Sequence, residues 1–200
     1  MVKVKIYVEG GGESKSLHTK CREGFRKLLE KAGFVGHMPR IIACGSRREA
    51  FDDFRTAMMD SGADEYPILL VDSEGSVSSG AWEHLHSRDG WDKPLDAEED
   101  QAHLMVQCME TWCIADRETL RAFFGQHVHE GSLPPDVDLE NRAKDDVQNA
   151  LMQATRQCGR DREYSKGKRS FELLARLNPE TLRKLLPHFT HLCDVLNGRL

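Results

Sequence analysis

The sequence contains no apolar run near the roughly 20 residues that a bilayer-spanning helix needs, so no membrane partner is expected. It has no C-x-x-C pair either. The six cysteines (Cys21, Cys44, Cys108, Cys113, Cys158 and Cys193) are scattered, which argues against a disulfide framework and for reduced thiols. The histidine clusters at 84–86, 127–129 and 188–191 lack a matching Cys or His pair at finger spacing, which argues against structural zinc. Positive charge is not in excess: 28 Lys and Arg face 33 Asp and Glu, for a net charge of −5. Nonspecific nucleic-acid binding by the whole surface is thereby disfavoured. Aromatic residues make up only 7%, so Trp112 is expected in the core, and Trp82 and Trp91 are expected to anchor a loop rather than to stack on bases. The opening "MVKVKIYV" alternates with period two and is too short for a signal peptide, which implies a cytoplasmic protein. Neither an internal repeat nor a low-complexity segment is found.

What is present is a regular alternation of patterns. Residues 2–8 read as a strand, and 13–32 as a helix with Leu17, Cys21, Phe25, Leu28, Leu29 and Ala32 on one face, stopped by Gly33. "RIIACG" (40–45) reads as a second strand. Ser46 then caps a helix whose inner face is Ala50, Phe51, Phe54 and Met58. "YPILLVDSEG" (66–75) is a third strand, without a polar residue from Ile68 to Val71, as suits a strand covered on both faces. This strand–helix order predicts an α/β fold with a mainly parallel sheet flanked by helices. Residues 76–101 read as a long loop with one helical turn near Trp82. A strand is expected from 102 to about 107, followed by a turn of helix carrying Glu110. A short helix at 116–125 is opened by Asp116 and closed by Gly125, and helices follow at about 139–156, 168–177 and 179–196, with Asn178 capping Pro179. Residues 1–125 are thus read as an α/β core and 126–200 as a helical C-terminal extension packed on it.

Two acidic turns carry the chemical content. "EGGGESKS" follows the first strand. It is neither a P-loop, since Ser14 stands where Gly is needed before Lys15, nor a Rossmann fingerprint, whose third glycine is replaced by Lys15. It can be a plain tight turn with Glu13 at a helix start, or an acidic loop for a cation. "VDSEG" sets Asp72 and Glu74 two apart, on one side if the backbone is extended. Two close carboxylates repel unless a cation lies between them, and Mg²⁺ is a natural occupant. A simple Asp-Ser-Glu-Gly turn is the alternative. Because sites in parallel sheets gather beyond the carboxyl ends of the strands, Glu9 and Asp72 are expected at one rim. The stretch 156–169 holds Arg156, Arg160, Arg162, Lys166, Lys168 and Arg169 against Asp161 and Glu163, and reads as a solvated loop or as a phosphate contact.

Glu9-Gly10 after the first strand and Asp72-Ser73-Glu74 after the third together resemble the TOPRIM arrangement shared by topoisomerases, primases and OLD-type nucleases. Glu74 stands where that pattern has a second Asp. The segments "QCMETWCIADRETLRAFFG" and "YSKGKRSFELLARLNPETLRKLLPHFTHL" are similar to a small TOPRIM-like family encoded beside AAA- or ABC-type ATPases in phage-defence operons. The resemblance runs from about Val4 to Leu196. It implies a TOPRIM-like fold and an Mg²⁺- (or Mn²⁺-) dependent nuclease acting on DNA or RNA and controlled by a partner ATPase. A non-catalytic module that docks on such an ATPase is the alternative. Carried over, Glu9 is the general acid/base or a ligand, and Asp72 and Glu74 are metal ligands. Glu13 and Glu110 are candidates for further coordination. Lys166, Lys168 and Arg169 would meet nucleic-acid phosphates. The alternative for Glu110 is a helix-surface acid or a partner of Arg117 or Arg121, and Asp116 is read as an N-cap.

Overall fold

The computed structural model describes residues 3–60, 62, 64–159 and 163–200. Val2 of the expected first strand, and Arg160, Asp161 and Arg162 of the basic stretch, lie outside them. Strands β1 (Lys3–Gly11), β2 (Arg40–Gly45), β3 (Glu65–Asp72) and β4 (Ala102–Met105) form a parallel sheet in the order β2-β1-β3-β4. The α/β architecture with a helical C-terminal region is therefore as expected.

The sheet is covered on both faces, and the period-two pattern of its strands decides which side chain goes where. Val4, Ile6 and Val8 of β1 and Ile68 and Leu70 of β3 join one hydrophobic cluster. The same cluster takes side chains from α1 (Lys15–Leu29), α4 (Met109–Ala115), α6 (Lys144–Thr155), α7 (Lys168–Leu174), α8 (Pro179–Leu185) and α9 (Pro187–Arg199). Trp112 lies at its centre, edge-on to Phe25 and Phe189. Tyr7, Leu69 and Val71 point the other way, onto α2 (Arg47–Asp60) and α3 (Ala81–Asp89). The C-terminal helices thus share a core with the sheet. All six cysteines are buried and none is in a disulfide among the described residues, and no helix among those residues is long and apolar enough to cross a membrane.

Several boundaries differ from the sequence expectation, each for a local reason. Between 76 and 101 a nine-residue helix, α3, replaces a single turn; its inner face is Trp82 and Leu85, and Gly90 closes it in the left-handed conformation. The expected helix 139–156 begins as an isolated turn at Leu139–Asn141, and α6 starts only at Lys144. The helix expected over 179–196 is broken at Leu186, which is extended (φ −127°, ψ 94°) because the ring of Pro187 disfavours helical backbone in the residue before it. The third strand ends at Asp72 rather than at Gly75.

Two caps are as the sequence suggests, and one does more. Ser46 and Glu49 bond reciprocally to each other's backbone N–H groups at the start of α2, which stabilises that helix by about 1 kcal/mol. Asp116 caps α5 (Arg117–Phe124) through Thr119 N. Its second oxygen accepts from Asn178 N at 2.7 Å and so ties α5 to the start of α8.

Candidate metal centre

The strand order creates the site. From β1 the chain passes to β2 on one side, and from β3 it passes to β4 on the other, so the connections leaving β1 and β3 diverge. Such a switch point opens a crevice beyond the carboxyl ends of the two strands. β1 and β3 pair in register through Val8 and Leu70. Glu9 and Asp72, one and two residues further on, therefore arrive side by side. Glu9 Oε2 accepts from Asp72 N at 3.1 Å.

Glu74 reaches the same point by a different route from the one the sequence suggests. Its backbone is left-handed (φ 62°), not extended. It is held because Ser73 N and Glu74 N donate to the carbonyls of Met105 and Gln107 at 3.0 and 2.9 Å. One oxygen each of Glu9, Asp72 and Glu74 lies within 4.8 Å of the others. As three oxygen donors facing one point, the carboxylates suit a hard divalent ion such as Mg²⁺, Mn²⁺ or Ca²⁺.

Electrostatics favour a cation there. Burial, followed by the neighbouring Glu9 carboxylate, holds Asp72 well above the usual carboxyl range. Burial also raises Glu9, against the lowering effect of the hydrogen bond from Asp72 N. Glu9 has no ion-pair partner among the described residues. Asp72 is further fixed by Met109 N, at the start of α4, which donates to Oδ1 at 2.9 Å.

Two basic residues that the sequence reading missed complete the centre. Lys144 Nζ, from the first residue of α6, lies 3.3 Å from Asp72 Oδ2 and also donates to Glu74 Oε1. Burial alone would lower its pKa; the carboxylates of Asp72 and Glu74 outweigh that and raise it. Arg47 Nε donates to the Asp72 carbonyl at 2.9 Å, while its guanidinium pairs with Asp89 at 2.5 Å and lies over Trp91. Neither residue carries a local signal: each is one cation among many until the fold brings it to Asp72.

The remaining candidates separate. A cleft of about 230 Å³ joins Glu9 and Asp72 to Gly10–Gly12, Glu110, Lys144 and Lys166. Glu110 is buried rather than on a helix surface, and it contacts neither Arg117 nor Arg121. It accepts from Tyr164 Oη at 2.6 Å and from Gln148 Nε2 at 3.3 Å. Glu13 is exposed and outside the cleft lining. Lys168 lies 3.9 Å from Glu172, and the Arg169 guanidinium lies over Phe123; neither lines the cleft. At Gly10 a Cβ would come 3.0 Å from the Phe171 ring, and at Gly11 it would come 2.5 Å from His18. The space over these two is taken by the protein's own side chains, and only Gly12 is open.

Comparison with known proteins gives a single kind of match. No curated protein and no solved structure matches the chain. A family model described as a domain of unknown function, DUF4276, matches residues 8–197. That span takes in Glu9, Asp72, Glu74, Glu110, Lys144 and Lys166, so the whole cleft lies inside the matched region, and the chain belongs to the DUF4276 family.

Proposed function

We propose that Glu9, Asp72 and Glu74 hold Mg²⁺ or Mn²⁺ and that the protein is a TOPRIM-type nuclease, hydrolysing phosphodiester bonds in DNA or RNA. The observation that carries this reading is the convergence of three carboxylates within 4.8 Å at the sheet's switch point. A divalent ion there supplies polarisation of a phosphoryl oxygen and a lowered pKa for an attacking water. The chain's own groups divide the rest of the work. Glu9, oriented by the hydrogen bond that its Oε2 accepts from Asp72 N, offers its other oxygen either to the ion or to a proton in transfer. Asp72 is kept in place by Met109 N, and Lys166 faces the cleft as a cation for phosphate. A role in phage defence under a partner AAA- or ABC-type ATPase rests on the sequence resemblance alone.

One observation favours a second reading. Lys144 already bridges Asp72 and Glu74, so the acids are partly neutralised from within, as in a non-catalytic module that docks on an ATPase. Incubation of the protein with single- and double-stranded DNA, tRNA and mononucleotides, with and without Mg²⁺ or Mn²⁺, separates the two. Metal-dependent cleavage is expected, falling about 10²- to 10⁴-fold in Glu9→Gln, the usual size of an acid–base contribution. Cleavage unchanged in Glu9→Gln and Asp72→Asn overturns the assignment. Activity on mononucleotides alone would make the protein a small-molecule phosphotransferase instead. Absence of cleavage and of metal binding, with an ATPase copurifying, supports the docking module.

A further inference from the structure

The cleft holds two lysines in different situations. Lys144 is engaged by Asp72 and Glu74. Lys166 lines the same cleft, exposed, with no hydrogen-bond or ion-pair partner among the described residues. Its side chain is free, but its backbone is pinned on both sides. Two residues before it, Tyr164 is 5% exposed and held at both ends. Its N–H donates to Thr155 Oγ1 at 2.8 Å, and its hydroxyl donates to Glu110 Oε1 at 2.6 Å. One residue after it, Gly167 (φ 97°) donates its N–H to Ser170 Oγ, which in turn donates to the Gly167 carbonyl at 2.8 Å. Glu110 is itself held by its surroundings. It is 3% exposed on the first turn of α4, and its other oxygen is occupied by Gln148.

Building on the nuclease reading, we propose that the Tyr164–Glu110 hydrogen bond is a clamp that positions Lys166 to receive a substrate phosphate, and that Glu110 serves this clamp rather than a metal ion. Both Glu110 oxygens are committed to donors, and its carboxylate is outside the group of three that shares one point. The tyrosine ring fills buried space while its hydroxyl needs an acceptor, because a buried hydroxyl without one forfeits its hydration with nothing in return. Removing that hydroxyl takes away the strap's anchor on the cleft-lining Glu110, while the Thr155 and Ser170 bonds and the packing of the ring stay in place. Glu110 and Tyr164 are thus positioning residues, and Lys166 is the group that touches substrate.

The test reads binding before it reads cleavage. A short fluorescein-labelled oligonucleotide, as DNA and as RNA, is titrated by anisotropy over a range of salt in Ca²⁺. Loss of one phosphate contact in Lys166→Ala lowers the slope of log K against log salt by about 0.7–0.9. Tyr164→Phe is expected to lower it equally, and the double variant no further. In the cleavage assay both variants raise KM and keep kcat. Glu110→Gln, which preserves an acceptor for the tyrosine, keeps the wild-type salt slope and leaves Mn²⁺ affinity unchanged. A wild-type slope in Tyr164→Phe, or additive losses in the double variant, overturns the clamp, as does weakened Mn²⁺ binding in Glu110→Gln. If the wild type binds with this pattern but cleaves nothing, the nuclease reading falls and the clamp stands as a phosphate-binding device. If the wild type binds no oligonucleotide, both fall.

Discussion

Lys144→Met lowers the stability of the metal-free protein by about 3–5 kcal/mol, the usual cost of breaking a largely buried ion pair from one side. Asp72 and Glu74 both face the Lys144 ammonium, and the side chains of Lys144 and Asp72 are 18% and 11% exposed. Without the lysine the two acids, with Glu9 beside them, have no counter-cation at contact distance among the described residues except Arg88, 3.9 Å from Glu74. They must take up protons or repel. The same substitution should increase the stabilisation produced by added Mn²⁺, because the ammonium and the metal compete for the same oxygens and only the metal remains. Urea unfolding with and without Mn²⁺ measures both effects. A variant as stable as wild type, with no added response to the ion, would mean that the acids are hydrated or neutral and that the lysine is incidental.

The second large effect has the opposite sign. Asp72→Asn is expected to make the metal-free protein more stable at neutral pH while removing the cleavage proposed above. Burial and the adjacent Glu9 raise the Asp72 pKa in the folded state above its unfolded value. The folded chain therefore binds more protons than the unfolded chain, and stability falls as pH rises from the unfolded pKa through the folded one. Asparagine removes this dependence, still accepts the Met109 N–H, and leaves Lys144 paired with Glu74. The gain is the free energy by which the folded chain holds that proton more tightly than the unfolded one. Urea midpoints followed from about pH 4 to pH 8 should decline in wild type and decline less steeply in Asp72→Asn, where Glu9 keeps its own raised pKa. A decline that persists unchanged would place the responsible group elsewhere. Acids crowded together at a cost in stability are what a functional site requires.

How much of this was legible in the sequence depends on what each feature rests on. The rim shared by Glu9 and Asp72 was legible because alternating strands and helices place every strand's carboxyl end on one edge, and the run Ile68–Val71 marks a central strand. The switch point was not, since it depends on β3 pairing with β1 rather than with β2. Lys144 was invisible for the same kind of reason. It begins a helix without a side-chain cap, 70 residues from Glu74, and only packing of α6 against α4 brings it back. The burial of Glu110 was likewise hidden, because its partner Tyr164 sits in a charged stretch that reads as solvated. The break at Leu186 was written in Pro187, and the apolar periodicity on either side obscured it. α3 escaped because its inner face is only Trp82 and Leu85 within a polar, glycine-bounded segment.

The most direct test is titration of the metal-free protein with Mn²⁺, followed by calorimetry and by loss of the free-ion spin-resonance signal. Saturable binding is expected, weakened about tenfold or more, at least the loss seen when outer-shell groups are removed from metal sites, by Glu9→Gln and by Asp72→Asn and unaffected by Glu13→Gln. No binding at millimolar Mn²⁺, or equal binding by all four proteins, would contradict a metal centre at the switch point of the sheet.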